Sequence, residues 1–159
     1  MATGNTAAKE KEYELVLMRV FDAPRELVFK VWTDPKHVSQ WWGPHGFTNP
    51  VCELDLRPGA AIGIHKRGPD GTVYRMTGVY HQIVKPERLV FTSAALGADG
   101  SPLFEVLTTM TFAEQTGKTK QTMRARVIKT TARAAQYLAG MEAGWVQSLE
   151  RLAESLAKA

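Results

Sequence analysis

The sequence predicts an α+β fold in which an antiparallel meander packs against one long C-terminal helix. Three observations carry that prediction. From Thr48 to Ile128 apolar residues recur with a period of two, interrupted by clusters of turn-forming residues. From about Thr131 to Leu156 the period becomes helical, with Leu138, Met141, Trp145, Leu149, Leu152 and Leu156 spaced 3, 4, 4, 3 and 4 along one stripe. Ahead of the meander, Asp22-Ala23-Pro24 and Asp34-Pro35 each look like the start of a short helix.

Taken in order, Tyr13 to Phe21 reads as a first strand. Leu15 and Leu17 lie on one parity, and Val16, Met18 and Val20 on the other, so both faces are expected to be partly covered. Asp22 is placed to cap the helix that follows, because its carboxylate can accept from a backbone N–H left free in the first turn. Pro24 sits where a missing N–H does no harm. Leu27, Val28, Val31 and Trp32 then give a short buried helical face. Asp34-Pro35 repeats the device for a second short helix ending at Trp41-Trp42-Gly43-Pro44.

Six strands are predicted next: Asn49–Leu56, Ala61–Arg67, Val73–Ile83, Arg88–Ser93, Phe104–Ala113 and Lys118–Ile128. The separators, such as Gly68-Pro69-Asp70-Gly71 and Glu114-Gln115-Thr116-Gly117, supply the backbone angles that tight turns require. The final helix, at about 1.5 Å per residue, would run roughly 39 Å. Gly140 and Gly144 are unusual inside it, since each costs about 1 kcal/mol relative to alanine. Close approach of a strand is the favoured explanation, and room for a ligand the other.

Composition limits the functional classes. With 159 residues, 44% of them hydrophobic and 23% charged, the chain can bury a sizeable core as one globular domain over residues 13–159. Residues 1–12 are polar and small, without an apolar signal core, and are expected to form a frayed tail. One cysteine, Cys52, rules out an internal disulfide and fits a reducing compartment, so a cytoplasmic location is expected. No apolar run approaches the roughly 18 residues that would insert across a membrane. The net charge of +4 raises nucleic acid as a partner. Its distribution argues otherwise: Lys118, Lys120, Arg124 and Arg126 alternate with Thr119, Gln121, Met123, Ala125 and Val127, which describes a strand with a solvated face and no stacking aromatics.

Two segments, Phe21-Asp22-Ala23-Pro24-Arg25-Glu26-Leu27-Val28-Phe29 and Gly144-Trp145-Val146-Gln147-Ser148-Leu149-Glu150-Arg151-Leu152, carry a resemblance. With Trp41-Trp42-Gly43-Pro44, Asp55-Leu56-Arg57-Pro58-Gly59, Gly78-Val79-Tyr80 and Pro86-Glu87-Arg88-Leu89-Val90-Phe91-Thr92 they resemble the Hsp90 ATPase activator homologue-like (AHSA1-like) family of the START-like superfamily. The resemblance spans residues 13–157, departing at Ala60, where relatives often carry a second glycine. It implies a helix-grip fold, with a curved antiparallel sheet wrapped around the C-terminal helix. It also implies a place for a ligand between them.

On that fold the cavity candidates are Trp41, Trp42, His45, Tyr74, Met76, Tyr80, Met110, Met123, Met141 and Trp145. Indoles fill cores and line ligand sites alike, so both roles stay open for the tryptophans. Methionines adapt to varied apolar ligands and to ordinary core gaps. His45 and Tyr74 are candidates for orienting polar groups at the mouth. Catalytic patterns are absent: His37, His45, His65 and His81 lack zinc-type spacing, and there is no nucleophile elbow, Walker loop or dinucleotide fingerprint. His45 or His65 would serve as a general base only if it pointed into the cavity. Glu53 and Asp55 fall on the outward parity, and Cys52 is expected to be an inert buried thiol.

The expectation is therefore a protein, monomer or homodimer, that binds a small hydrophobic or amphipathic molecule without a cofactor or metal. The alternatives are a cavity enzyme of the polyketide cyclase or aromatase type and a chaperone-interaction module. For the latter, only weak contact is expected of a chain lacking the co-chaperone's additional N-terminal domain.

Overall fold

A computed structural model describes residues 14–131 and 139–159. Seven antiparallel strands form one open, curved sheet: β1 (Glu14–Phe21), β2 (Thr48–Leu54), β3 (Ala61–Arg67), β4 (Val73–Val84), β5 (Arg88–Leu96), β6 (Pro102–Gln115) and β7 (Lys118–Thr130). Their order is β1-β7-β6-β5-β4-β3-β2, so the predicted meander is present and β1 joins it beside β7. Helices α1 (Arg25–Thr33) and α2 (Pro35–Trp41) follow β1, and α3 (Met141–Lys158) ends the chain. This is the helix-grip arrangement expected from the sequence.

Parity did most of the positioning. On β6, Val106, Thr108, Met110 and Phe112 are buried, and on β7 Thr119, Gln121, Met123, Ala125 and Val127 are, all on the face that receives the helices. The β6–β7 turn closes over Thr116 (φ 52°) and Gly117 (φ 81°), between the paired Gln115 and Lys118. Two consecutive positive φ values make the primed turn whose twist matches the flanking strands. Gly78 on β4 is required for another reason: a Cβ there would collide with the Thr92 carbonyl.

Four expectations need correction. Asp22 caps nothing; Pro24 occupies the N-cap of α1, and its carbonyl accepts from Leu27 and Val28, leaving Asp22 too early and exposed. Asp34 does cap α2, accepting from the Lys36 amide at 2.9 Å. The outer parity of β1 is uncovered, with Val16, Met18 and Val20 exposed, because the helices pack on the other face of the sheet, as they do for the outward residues of β7. The final helix is not continuous from Thr131: Thr131 is outside any helix and its hydroxyl donates to the Leu103 carbonyl, Ala139 is helical but Gly140 is a turn and the N-cap of α3, and residues 132–138, Leu138 among them, lie outside the described residues. Nor does any described strand approach Gly144, where an added Cβ would meet no described residue within 4 Å.

Tyr13 and the tail over residues 1–12 also lie outside the described residues. No helix among the described residues is long and apolar enough to cross a membrane.

Candidate functional site

All four tryptophans of the chain meet between α1, α2 and α3. Trp32 and Trp41 cross edge to face at 4.6 Å, Trp32 stacks on Trp145 at 5.9 Å, and Trp42 meets Trp145 at 5.2 Å. Two of the indoles are pinned by hydrogen bonds. Trp41 Nε1 donates to the Val31 carbonyl at 3.0 Å, and Trp32 Nε1 donates to Gln121 Oε1 at 2.6 Å. Trp41 is wholly buried, whereas Trp42 and Trp145 are half-buried.

Beside this cluster lies a cavity of about 20 Å³, close to the room for one water molecule. Trp32, Trp42, Tyr80 and Phe91 supply its aromatic wall, and Val38, Leu54, Ile62, Ile64, Met76 and Leu89 the aliphatic part. The only polar side-chain group in the wall, beyond the indole N–H groups, is the Tyr80 hydroxyl. It has no hydrogen-bond partner among the described residues, and burial raises its pKa, so it stays protonated. Cys52 lies near it on β2, its thiol pushed up to about 11 by burial.

The sequence candidates thus separate into three groups. Trp42, Met76 and Tyr80 line the cavity, and Trp145 backs it through Trp42 and Trp32. Trp41, Met110 and Met123 are fully buried in the core, away from the cavity wall, and Met110 pairs with Met123 across β6 and β7. Met141 packs half-buried at the start of α3. His45 and Tyr74 are exposed; His45 Nε2 lies 3.3 Å from Glu150, and Tyr74 lies against Phe47 at 6.1 Å. His65 takes the β3 parity opposite Ile62 and Ile64, so neither histidine considered as a base faces the cavity. No group of three metal-ligating side chains occurs among the described residues.

The loop from Trp42 to His45 is held by a set of contacts that strand and helix periodicity did not predict. Arg151 Nη1 donates to the carbonyls of Trp42 (3.0 Å), Gly43 (3.0 Å) and Pro44 (3.1 Å), and Nη2 donates to that of Gln40 (2.8 Å). Ser148 Oγ accepts from the Gly43 amide at 3.1 Å, and Gln147 Oε1 accepts from the His45 amide at 3.1 Å. Asn49 Nδ2 donates to the carbonyls of Ser39 and Trp42. By helical phase, Gln147 and Arg151 read as a solvated face; only the fold brings the loop onto them. Trp32, which lines the cavity, was also not among the sequence candidates.

Comparison with known proteins agrees with this architecture. The family model for "Activator of Hsp90 ATPase homolog 1-like protein" matches residues 22–157. No curated protein matches the chain. Among solved structures, a Chromobacterium violaceum protein is 28% identical with a TM-score of 0.76, over 91% of this chain and 97% of that one. The AHSA1 protein of Silicibacter pomeroyi is 25% identical with a TM-score of 0.78, over 91% and 97%. A protein from Arthrobacter aurescens, 23% identical, superposes with a TM-score of 0.82 over 94% and 88%, a likeness of fold alone. With its strand order, its C-terminal helix and a match across nearly all of its length, the chain belongs to the Activator of Hsp90 ATPase homolog 1-like family.

Proposed function

We propose that this protein binds a compact apolar or amphipathic molecule in the cavity between the sheet and helices α1 and α2, which α3 only backs through the tryptophan cluster. The observation that carries the proposal is the aromatic wall itself: an apolar cavity flanked by the tryptophan cluster, with one unpartnered hydroxyl inside. Ligand sites have that composition, mostly apolar and aromatic with a few placed polar groups. At about 20 Å³ the cavity must widen to admit anything larger than water. The first turns of α3 are the place for it, because Trp145 is half-buried there and Gly144 faces open space. With Tyr80 held protonated, the wall offers a hydrogen-bonding group and no base, which favours binding over acid–base catalysis.

Titration with octan-1-ol and with octanoate, followed by tryptophan fluorescence, tests this. Saturable one-to-one binding of either, abolished by Met76→Trp in a protein that still melts cooperatively, is expected. No saturable change with either probe, or unchanged affinity in Met76→Trp, overturns the proposal.

A second reading rests on a different face. Val16, Met18 and Val20 stand exposed beside the outward Lys120, Arg124 and Arg126 of β7, an apolar row with a basic border that suits an acidic protein surface. The family description makes the chaperone Hsp90 the partner to try. Salt-sensitive capture of the host's Hsp90, lost in Met18→Asp, is expected; capture indifferent to both salt and that change overturns it.

A further inference from the structure

We propose that Lys66 anchors the head group of the bound molecule, which makes the ligand a small amphipathic monoacid with its apolar part in the tryptophan-walled cavity. This rests on the ligand-binding proposal above and adds the chemical class of the ligand.

Strand β3 turns Ile62, Ile64 and Lys66 toward the same face, and the first two line the cavity. Lys66 is the next residue in that alternation, about 7 Å further along the strand. Its stem runs beneath the Trp-Trp-Gly-Pro loop: a Cβ placed on Gly43 would stand 3.4 Å from Lys66 Cδ. The ammonium lies 5.5 Å from the centroid of the Phe47 ring. Lys66 is therefore lodged between the loop ending at Phe47 and the sheet, one step of the alternation beyond Ile64, which lines the cavity.

What is missing around it is an anion. The described residues contain four ion pairs, and Lys66 is in none of them. Burial lowers the lysine's pKa, the signature of a cation removed from water without a countercharge. An aromatic face attracts an ammonium but does not neutralise it. A structural lysine in such a position would be expected to have a carboxylate beside it, or to reach fully into water. An incoming acid would supply the missing charge.

The ligand's charge and shape follow. A single ammonium is a point charge with three donors, suited to one carboxylate; the bidentate Arg fork that grips planar dianions is not offered here. Arg151, the nearest guanidinium on α3 to this loop, is already committed to four backbone carbonyls. Tyr74 faces Lys66 across the β3–β4 ladder and rests on Phe47, which puts a second donor at the same end. The wall beyond is apolar as far as the Tyr80 hydroxyl. A molecule that is anionic at one end and apolar through the rest satisfies both.

Calorimetric titrations of octanoate, octan-1-ol and octylammonium into wild type, Lys66→Met and Lys66→Arg test this, with thermal melts to establish that each variant is folded. In wild type, octanoate is expected to bind about tenfold or more tighter than octan-1-ol, with octylammonium weakest. Lys66→Met should erase the preference for octanoate over octan-1-ol, and Lys66→Arg should restore part of it. Saturable but equal binding of octanoate and octan-1-ol in wild type overturns the Lys66 assignment and leaves the cavity reading standing. So does a preference for octanoate that survives in Lys66→Met. Failure of all three probes to bind overturns the cavity reading, and this inference with it.

Discussion

The two halves of the sheet are built from the same alternation yet have different interiors. Under β6 and β7 the inward side chains are closed off: Met110, Met123, Gln121 and Ala125 have no exposure, and Phe29 of α1 meets Phe112 edge to face. Under β2 and β4 the same parity gives half-buried Cys52, Leu54 and Met76 and an exposed Tyr74, beside the buried Ile62 and Ile64 of β3 and Tyr80 of β4. The difference follows from what lies on top. Helix α1 packs directly on β6 and β7, whereas the other half is roofed by α2, the loop to Phe47 and the indoles. Both halves share one buried cluster, but only the second leaves a small cavity in it, under a lid made of side chains and a loop. A sheet can therefore be continuous in its hydrogen bonding while only part of it is committed to packing.

That contrast can be broken by substitution. Met110→Ala, in the closed half, is expected to cost about 2–5 kcal/mol in chemical denaturation, because the gap cannot collapse. Met76→Ala, on a half-buried site beside an existing cavity, should cost only about 1 kcal/mol. Equal losses would show that the two halves are equally packed. Arg151→Met, which strips the covering loop of four charge-assisted contacts, is expected to cost about 2–3 kcal/mol. Lys at 151 would recover little, since one ammonium cannot span carbonyls from Gln40 to Pro44. Gly144→Ala should stabilise by about 1 kcal/mol by helix propensity, since no described residue stands where the new methyl would go. A loss there would mean the space around α3 is smaller than described.

The smallest perturbation needs no mutation. Cys52 is half-buried, and with its thiol at about 11 against an ordinary 9.0, iodoacetamide should modify it about 100-fold more slowly than an exposed cysteine at pH 8. As an acid whose folded pKa is raised, it binds more protons folded than unfolded between pH 9 and 11, so stability should fall with rising pH across that window. Cys52→Ala should remove its part of that slope, leaving the part that the raised Tyr80 adds above about pH 10.

Alternation was legible wherever a strand has one packed and one open face, as on β6 and β7, and the Asp34-Pro35 start was legible because capping is local. Three features were not, each for a physical reason. Apolar residues on both parities do not say which face the helices leave bare, so the outer row of β1 read as covered. A helix break at Gly140 and a glycine facing space at Gly144 have the same letter as a glycine under close approach. The grip of Arg151 on a loop more than 100 residues earlier is a contact between side chain and backbone, which leaves no trace in periodicity. For the site, the aromatic and methionine candidates on β4 and at Trp42 could be read from parity and turn position. The pairing of Trp32 with Gln121, and the unpaired state of Lys66, depend on neighbours that only the folded chain supplies.

The final helix is fastened unevenly. From Gln147 onward it is tied to the loop by Gln147, Ser148 and Arg151 and sunk into the core by Leu149, Leu152 and Leu156. Before that, Glu142, Ala143 and Val146 are exposed, and Met141 and Trp145 only half-buried. Amide protons along α3 should accordingly trade with deuterated solvent in a gradient, fast at the N-terminal turns and slow past Ser148, as sub-global opening begins where fewest contacts must be given up. A single helix would then behave as two segments of unequal local stability, with the boundary one turn after Gly144.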